Sequence, residues 1–223
     1  MARDYTVVIP AYNAADTLEE ALRSILEQSV PPAEIIVVDD GSTDGTVGIV
    51  TSFGPPVTLV SQSNQGCGAA TNAGISRVAT PLLAFLDADD VWLPGKAALQ
   101  VQSLEANPDL AAVCGRARTF KGSVAEPVLG PPFDFWSRTT MLIWIEAARR
   151  IGDMIDPPGG RGDTVDWIAR GRDLGLRFTM MPEIVSLRRI REGSLSFGRD
   201  PDKDKGYLLA IKRALDRKRA GQP

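Results

Sequence analysis

The sequence predicts an α/β fold: one domain with a mainly parallel central sheet flanked by helices. Short, apolar, β-rich runs alternate with segments of helical periodicity through the first half of the chain. This alternation is typical of a parallel sheet covered by helices on both faces. The 223 residues are 43% hydrophobic, which is enough for one sizeable core and little for two. Because no linker, repeat or low-complexity tract interrupts the pattern, we expect residues 1–223 to form a single domain.

The first half of the chain supplies most of the predicted sheet. Near-continuous apolar runs predict strands covered on both faces, at Tyr5–Ile9, Glu34–Val38, Val57–Val60, Leu82–Leu86 and Ala111–Cys114. Apolar or small residues at helical spacing predict the helices between them, at Leu18–Leu26, Thr46–Phe53, Gly68–Val78 and Pro94–Ala106. Asp16 and Glu19 have the spacing of a capping box, which predicts Asp16 as the N-cap before the first helix.

The second half of the chain is less regular. Glycine and proline predict loops, at Gly122–Pro132 and Pro157–Gly162. The remaining segments are a mixed apolar stretch, an extended run and two helices, at Arg138–Ile151, Phe178–Leu187, Val165–Leu174 and Gly206–Arg219 respectively.

Composition excludes several classes of function. A formal net charge of -3 gives no reason to expect nucleic acid as a partner. The absence of histidine removes the commonest general base and the commonest zinc ligand. Cys67 and Cys114 are too few for a disulfide framework and predict two buried, unpaired thiols in a reducing compartment. Without a signal-peptide pattern or an apolar run of roughly 20 residues, we expect a cytoplasmic protein with no transmembrane segment.

A basic run near the C-terminus has two interpretations. Its residues are Lys212, Arg213, Arg217, Lys218 and Arg219. The first interpretation is a solvated helix face, and the second is peripheral contact with an anionic substrate or with the inner face of a membrane. The sequence leaves this choice open, together with the question of a homodimer.

Polar segments follow three of the predicted strands directly. They are Pro10–Asn13, Asp39–Gly45 and Asp87–Asp90. Each segment taken alone is also compatible with turns and caps. Because ligands bind at the carboxyl ends of strands in parallel sheets, the three together predict a binding crevice.

The Asp87-Ala88-Asp89 triplet predicts a divalent cation site for a diphosphate. In an extended segment the two carboxylates point to the same side. A hard cation such as Mn²⁺ or Mg²⁺ takes one or two carboxylates and completes its shell with phosphate oxygens and water. Asp89 and Asp87 are therefore the candidate metal ligands, and one of them is also placed to reach a ribose. The cation would stabilise a departing nucleoside diphosphate.

Together these segments resemble a known family. Val7–Asn13, Ile36–Thr46, Asn64–Gly66 and Phe85–Asp90 are similar to the motifs of the inverting family-2 glycosyltransferases with the GT-A fold. The resemblance is strong from residue 5 to about residue 100. It continues weakly to about residue 197 through Val165–Trp167 and Arg188–Ser196. It implies a Rossmann-like nucleotide-sugar-binding half at about 1–118 and a smaller acceptor-binding and lid half at about 119–223.

The resemblance implies a role for each nucleotide-sugar-binding residue. Pro10, Ala11 and Tyr12 would line the base pocket, next to Asn13, and Asp39 would hydrogen-bond the base, usually uracil, next to Gly41. Asn64 and Gly66 would lie along the nucleoside. Asp87 would approach the ribose, and Asp89, next to Ala88, would hold the metal with the diphosphate. Thr71 replaces an arginine that family members often use to contact the nucleotide, which weakens the expectation of uracil.

The resemblance also implies a catalytic base and a basic lid. The base of the family is a carboxylate at the start of a late helix, which makes Asp163 the first candidate and Asp166 the second. The alternative is that Asp163 is an N-cap with Asp166 at N3. In Arg188–Ser196, Arg189 or Arg191 would grip the diphosphate, although a surface-charged edge strand explains the same residues.

These observations predict transfer of a sugar from a nucleotide-diphospho-sugar, such as a UDP-sugar, to an acceptor hydroxyl with inversion. The acceptor is a glycan, a lipid, a peptide or a small molecule. Four aromatic residues in the second half either stack on it or pack in the core, namely Phe133, Phe135, Trp136 and Trp144. The alternatives are a non-catalytic sugar-nucleotide-binding domain and a nucleotidyltransferase. An oxidoreductase is disfavoured because the glycines at 66–74 lack dinucleotide-loop spacing.

Overall fold

The computed structural model describes residues 4–191 and 201–220. The strands are β1 (Tyr5–Ala11), β2 (Glu34–Asp39), β3 (Val57–Ser61), β4 (Leu82–Phe85), β5 (Val91–Trp92), β6 (Leu110–Lys121), β7 (Val128–Asp134), β8 (Met141–Trp144) and β9 (Arg177–Arg189). The helices are α1 (Leu18–Leu26), α2 (Thr46–Phe53), α3 (Cys67–Ile75), α4 (Lys96–Ala106), α5 (Ile145–Ile151), α6 (Asp163–Asp173) and α7 (Pro201–Ala220), with a 3₁₀ turn at Arg138–Thr140.

The strands within these residues form a nine-stranded sheet in the order β3-β2-β1-β4-β8-β6-β9-β5, and β7 pairs with β6. β1 to β4 are parallel neighbours, and β9 runs parallel to β6. Strands β5, β7 and β8 are antiparallel to their partners. The predicted α/β fold with a mainly parallel sheet is therefore confirmed. One sheet runs through both halves of the chain, because β6 crosses the predicted boundary at about residue 118.

Helices cover both faces of the sheet, which explains the continuous apolar runs of the strands. Side chains alternate along β1, so Val7 and Ile9 pack on one side with α1, α2 and α4. Val8 packs on the other side with α3, α5 and α6. All three side chains are fully buried. The carboxyl ends of β1, β2, β3 and β4 are thus left as an open edge of the sheet.

Helix α6 is fixed to the core by Trp167. The indole is fully buried, meets the Phe85 ring edge-on at 6.3 Å and donates from Nε1 to the carbonyl oxygen of Gly152 at 2.7 Å. Because Trp167 lies one turn after Asp163, these contacts also hold the start of α6 against the end of β4.

The prediction of a loop over Gly122–Pro132 is wrong for its second part, where β7 begins at Val128. This strand pairs with β6 alone in the described sheet, so it is an edge strand. Edge strands accept proline because one side of the strand needs no ladder hydrogen bonds, and β7 contains Pro131 and Pro132. Its partner β6 continues to Lys121, well beyond the predicted end at Cys114.

Two predicted helix starts also differ from the structure. α1 begins at Leu18 with Thr17 as its N-cap, so the expected capping box of Asp16 with Glu19 does not form. The Thr17 hydroxyl instead donates to the carbonyl oxygen of Ala88 at 2.9 Å, beside the Asp-Ala-Asp triplet. Helix α6 has Gly162 as its N-cap, and Asp163 is its first helical residue. Capping by Asp163, the alternative interpretation of that residue, is therefore wrong.

The C-terminal helix α7 packs against α6 through small and charged residues. A Cβ atom on Gly206 would lie 1.8 Å from the carbonyl oxygen of Arg161, so the two segments approach too closely for any side chain there. Arg217 binds Asp166 at 3.3 Å and Asp173 at 2.6 Å. Within residues 4–191 and 201–220, no helix has both the length and the hydropathy of a bilayer-crossing segment.

Candidate active site

A cavity of about 470 Å³ lies at the carboxyl edge of the sheet and is lined by many of the predicted site residues. Seven of the predicted residues line it, namely Pro10, Tyr12, Asp87, Ala88, Asp89, Asp163 and Arg191. A larger cleft of about 740 Å³ lies between α1, β5 and the hairpin of β6 with β7. Its lining is mainly apolar and includes none of the predicted site residues, so the smaller cavity is the candidate active site.

The loops that follow β1 and β2 are joined to each other through Asn13. Its backbone N–H donates to Ser42 Oγ at 2.9 Å, and its side-chain oxygen accepts from the backbone N–H of Thr43 at 2.9 Å. Asn13 has a left-handed backbone with φ of 47°, a conformation that asparagine tolerates better than most residues. Asn13 therefore holds the loops after β1 and β2 together at this edge of the sheet.

Asp40 organises the loop after β3, and the sequence analysis had not singled it out. The buried carboxylate accepts from the side-chain amide of Gln62 at 2.7 Å. It also accepts from the backbone N–H groups of Gln65 and Gly66, both at 2.9 Å. Adjacent aspartates at the end of β2 were the available signal, but the sequence does not reveal which one faces the neighbouring loop.

The remaining predicted nucleotide residues lie at the same edge as the cavity. Asp39 is buried beside Ala11, its partner in the sheet register, and its carboxylate accepts from the backbone N–H of Ser42 at 3.2 Å. Gly41 has φ of 79°, and a Cβ atom there would meet the backbone nitrogen of Asn64 at 3.0 Å. Only glycine fits this approach without strain. Gly66 leads directly into Cys67, which lines the cavity.

Arg138 links the predicted metal site to the predicted base. Its Nε donates to Asp87 Oδ1 at 2.8 Å, its Nη1 donates to Asp163 Oδ2, and its Nη2 donates to Cys67 Sγ at 3.0 Å. The arginine side chain is 9% exposed. Sequence reasoning missed this residue because its two carboxylate partners lie 51 and 25 positions away along the chain.

The structure separates the two candidates for the base. Asp163 lines the cavity, with its side chain 16% exposed. Asp166 is buried outside the cavity lining, where its carboxylate is bound by Arg170 at 3.1 Å and by Arg217 at 3.3 Å. An acceptor in the cavity would therefore meet Asp163, while Asp166 is engaged in joining α6 to α7.

The two candidate arginines of the lid also differ in position. Arg189 lies outside the cavity lining, where it forms an ion pair with Glu20, donates to the carbonyl oxygen of Asp89 at 3.0 Å and stacks on Phe120 at 4.4 Å. Arg191 lines the cavity, with its Nε 3.7 Å from Asp89 Oδ2. Residues 192–196 of the predicted lid lie outside the described residues.

Arg191 is poorly satisfied in its present contacts. Its Nε is buried and has no hydrogen-bond partner within the part of the chain that the structure describes. A buried donor without a partner is costly, and the 3.7 Å ion pair of this Nε with Asp89 is too long for a hydrogen bond. Arg188, from the same segment, also lines this cavity and lies over the Phe135 ring at 5.4 Å. The cavity thus offers cationic side chains to an anionic ligand.

The residues Asp87 and Asp89 fit a divalent cation. Their side chains are 33% and 26% exposed, so an ion can reach both. Burial, and then the negative charge of Asp87, raise the pKa of Asp89. A hard cation would relieve this repulsion, and carboxylate oxygens are its preferred ligands. Among the described residues, no group of three or more acidic or cysteine side chains is placed to hold an ion. Phosphate oxygens and water would therefore have to complete the coordination shell.

Aromatic side chains form part of the cavity wall. Phe135, Trp136 and Tyr207 line it, with Tyr207 contributed by α7. Arg172 lies over the Trp136 ring at 4.7 Å. The two other aromatic candidates differ. The Phe133 ring is tilted against that of Phe135, with centroids 5.3 Å apart, and Trp144 packs against the core.

Neither cysteine is in a disulfide, as predicted, but only Cys114 is fully buried. Cys67 is half-buried at the cavity wall. Burial raises the pKa of the Cys67 thiol to about 11, an effect that the charge of Arg138 opposes. The thiol therefore stays protonated at neutral pH and acts as a weak polar neighbour of Arg138.

A buried polar network supports the backbone that follows Arg138. Trp92 Nε1 donates to the carbonyl oxygen of Thr139 at 3.0 Å. The Gln100 amide donates to the carbonyl oxygen of Thr140 at 2.7 Å. Lys96 Nζ donates to Gln100 Oε1 at 2.6 Å and lies 3.9 Å from the Trp92 ring centroid. Three side chains from β5 and α4 thus hold the turn that carries Arg138.

The sequence of this chain is similar to those of known glycosyltransferases. Residues 6–154 match the family model described as glycosyl transferase family 2. An uncharacterized glycosyltransferase of Rickettsia prowazekii (strain Madrid E) is 38% identical over 112 residues, which cover 49% of this chain and 35% of the relative. One from Nostoc sp. is 42% identical over 95 residues, which cover 41% of this chain and 30% of the relative. The chain therefore matches about a third of the length of these relatives.

Solved structures share the fold at low sequence identity. S. aureus TarS 1-349 in complex with UDP-GlcNAc superposes with a TM-score of 0.77 and 16% identity, covering 96% of this chain and 66% of that one. Mannosyltransferase PcManGT from Pyrobaculum calidifontis, in complex with GDP-Man and Mn²⁺, has a TM-score of 0.69 and 21% identity, covering 98% and 76%. Since the family model matches more than half of the sequence, this chain belongs to glycosyl transferase family 2.

Proposed function

We propose that this protein transfers a sugar from a nucleotide-diphospho-sugar to an acceptor hydroxyl, with inversion at the anomeric carbon and with the help of a divalent cation. The observation that carries the proposal is the single cavity that contains Asp87, Asp89, Asp163 and Arg191. Family membership supports sugar transfer, and the sugar nucleotides bound by TarS and PcManGT support the class of donor.

The donor would lie along the carboxyl ends of β1, β2 and β4. Its base would enter between Tyr12 and the loops shaped by Asn13 and Asp40, with Asp39 as the polar partner of the base. The diphosphate would reach Arg191, whose buried Nε has no hydrogen-bond partner in the described structure. Guanidinium groups bind phosphate oxygens strongly because both the charge and the direction of the donors match. UDP is the expected nucleotide, and Thr71 leaves GDP as the alternative.

The ion would be Mn²⁺ or Mg²⁺ and would be held by Asp89, with Asp87 beside it. When bound, such an ion offsets the charge that develops on a departing nucleoside diphosphate. The chain's own contribution at this point is to keep two carboxylates together in a partly buried place, where burial and then the charge of Asp87 raise the pKa of Asp89. Arg138 reduces that cost by binding Asp87.

Asp163 would act as the base. An acceptor hydroxyl must lose its proton as its oxygen attacks the anomeric carbon from the face opposite the leaving diphosphate, and a carboxylate at the cavity wall is suited to accept it. Arg138 holds the Asp163 carboxylate in place, since it binds both Asp163 and Asp87. The aromatic side chains of Phe135, Trp136 and Tyr207 would contact the acceptor on the remaining side.

Nucleotide binding with and without metal tests this proposal. We expect UDP or GDP to bind the protein in the presence of Mn²⁺, and we expect EDTA to weaken binding. Asp89→Asn is expected to weaken Mn²⁺-dependent binding by about tenfold or more, because an amide is a poorer ligand for a hard cation. Asp109→Asn is the matched control, since the Asp109 side chain is 83% exposed. Asp109 directly precedes β6, which runs in the same direction as β4, so it lies at the edge of the sheet opposite the carboxyl ends of β1 to β4. Isothermal titration calorimetry measures both variants.

Turnover measurements distinguish a glycosyltransferase from a non-catalytic binding domain and from a nucleotidyltransferase. Release of UDP or GDP from a panel of nucleotide sugars with Mn²⁺ supports the proposed transferase. Metal-dependent binding without release of the nucleotide, across the panel and with acceptor mixtures present, would favour a non-catalytic sugar-nucleotide-binding domain. Release of pyrophosphate from a nucleoside triphosphate and a sugar phosphate would favour a nucleotidyltransferase.

A further inference from the structure

Helix α7 carries an apolar row on its solvent face. Leu208, Ile211 and Leu215 are 69%, 55% and 50% exposed. Residues three and four positions apart lie on one side of a helix, so these three side chains form a continuous stripe. Large apolar side chains exposed singly need no explanation, but a stripe of three along a helix indicates a contact surface.

The opposite face of α7 is already in use. Gly206 and Ala210 are buried against the body of the protein. From this face Arg217 binds Asp166 and Asp173. Asp204, one turn before Leu208 on the stripe side of the helix, binds Arg161 at 2.6 Å. These contacts fix the rotation of the helix about its axis. The apolar stripe therefore points outward because the inner face is held, and a small rotation of the helix would not bury it.

A row of basic side chains runs beside the stripe. Lys205, Lys212 and Arg219 are exposed and follow one another at intervals of seven residues, so they share one side of the helix. Lys205 pairs with Asp202 at 2.7 Å. Lys212 and Arg219 have no ion-pair partner in the described part of the chain. Asp216, also exposed, lies on the outer side of this row, farther from the apolar stripe than the cations.

We propose that the outer face of α7 is a docking surface for an anionic phospholipid bilayer. A helix that lies on a membrane inserts an apolar stripe between the lipids and places lysine and arginine against the headgroups. The stripe of Leu208, Ile211 and Leu215 with the flanking row of Lys212 and Arg219 has this arrangement. A second copy of the chain is a poorer occupant, because antiparallel two-fold pairing of the stripes would bring the two rows of cations side by side.

This surface lies close to the candidate active site. Tyr207, the neighbour of Leu208 in sequence, lines the cavity. A helix is about 10 Å in diameter, so bilayer contact would bring the rim of the cavity within about one helix width of the lipid. The docking surface itself does not depend on the proposed sugar transfer, and its test measures lipid binding alone.

Vesicle co-flotation of the full chain tests the proposal. We expect the protein to float with vesicles that contain 30% phosphatidylglycerol in phosphatidylcholine, and to float much less with pure phosphatidylcholine. Leu208→Gln/Ile211→Gln/Leu215→Gln is expected to weaken partition on the anionic vesicles by on the order of 100-fold, from the apolar surface it no longer buries. Lys212→Gln/Arg219→Gln is expected to weaken it by roughly 30-fold and to reduce its sensitivity to salt.

Val128→Gln/Leu129→Gln is the matched control, because these side chains are also large, apolar and exposed but lie on β7. It should bind the vesicles as the unaltered protein does. Far-ultraviolet circular dichroism and thermal melts confirm that each variant is folded. Equal binding by the α7 variants and the control, or equal binding to neutral and anionic vesicles, would overturn the proposal. A dimer that the triple glutamine variant converts to a monomer, without vesicle binding, would assign the surface to a second copy instead.

Discussion

Replacing Asp163 with asparagine is expected to lower the rate of sugar transfer by about 100-fold to 10,000-fold while nucleotide binding persists. The substitution keeps the size of the side chain and removes its ability to accept a proton. Asp163 faces the cavity, whereas the nucleotide is expected on the side of β1 and β2, so the donor loses no direct contact. Initial rates with a saturating donor measure the effect on transfer, and calorimetric titration with UDP or GDP measures binding.

Two variants of the same helix complete this test. Asp173→Asn is the control, since Asp173 lies at the far end of α6, where it forms an ion pair with Arg217. It should retain near-normal turnover. Asp166→Asn should chiefly lower thermal stability, because Asp166 is buried between Arg170 and Arg217. Near-normal transfer by the Asp163 variant, or a loss of transfer in a well-folded Asp166 variant, would refute the assignment of the base.

The stability of the protein is expected to rise between pH 7 and pH 9, and Lys96→Met is expected to remove most of this rise. Lys96 is 1% exposed, and burial lowers the pKa of its amine from 10.5 to about 7. Between these two values the unfolded chain binds more protons than the folded one, so the free energy of unfolding increases with pH. At pH 7 the lowered pKa of Lys96 reduces the free energy of unfolding by roughly 4 kcal/mol. By pH 9 about 2 kcal/mol of this loss is regained.

Urea denaturation at pH 7, 8 and 9 measures this effect. The Lys96→Met variant should be more stable than the unaltered protein at pH 7, since the lost hydrogen bond to Gln100 costs only about 1 kcal/mol. Its free energy of unfolding should also vary less with pH. Lys121→Met serves as the control, because Lys121 is exposed at the end of β6. Parallel pH profiles for the Lys96 variant and the unaltered protein would contradict the expectation.

The sequence was sufficient for the first half of the fold because there the interactions are local or repetitive. Apolar runs buried on both faces predicted β1 to β4 to within two residues at each end, and Thr46–Phe53 was predicted with the observed bounds. The predicted polar segments came together because parallel strands end at one edge of the sheet. Asp87 and Asp89, at the end of β4, line the cavity at this edge.

The remainder depended on pairings that the local sequence does not encode. β7 was missed because its prolines normally argue against a strand, and only its place at the edge of the sheet permits them. Arg138 was missed because both of its carboxylate partners come from distant segments. The choice between Asp163 and Asp166 required the start of α6, and the choice between Arg189 and Arg191 required knowing which of them already had a carboxylate partner in Glu20.

The buried carboxylate of Asp40 couples the loops at the carboxyl edge of the sheet. It accepts from Gln62, Gln65 and Gly66, while the backbone N–H of Asp40 itself donates to the carbonyl oxygen of Ala11 at 2.8 Å. Loss of this one acceptor would leave several donors without a hydrogen-bond partner at once, and each unpaired donor costs free energy. The segments after β1, β2 and β3 should accordingly gain and lose order as a cooperative unit, and local fluctuations at this edge should be all-or-none.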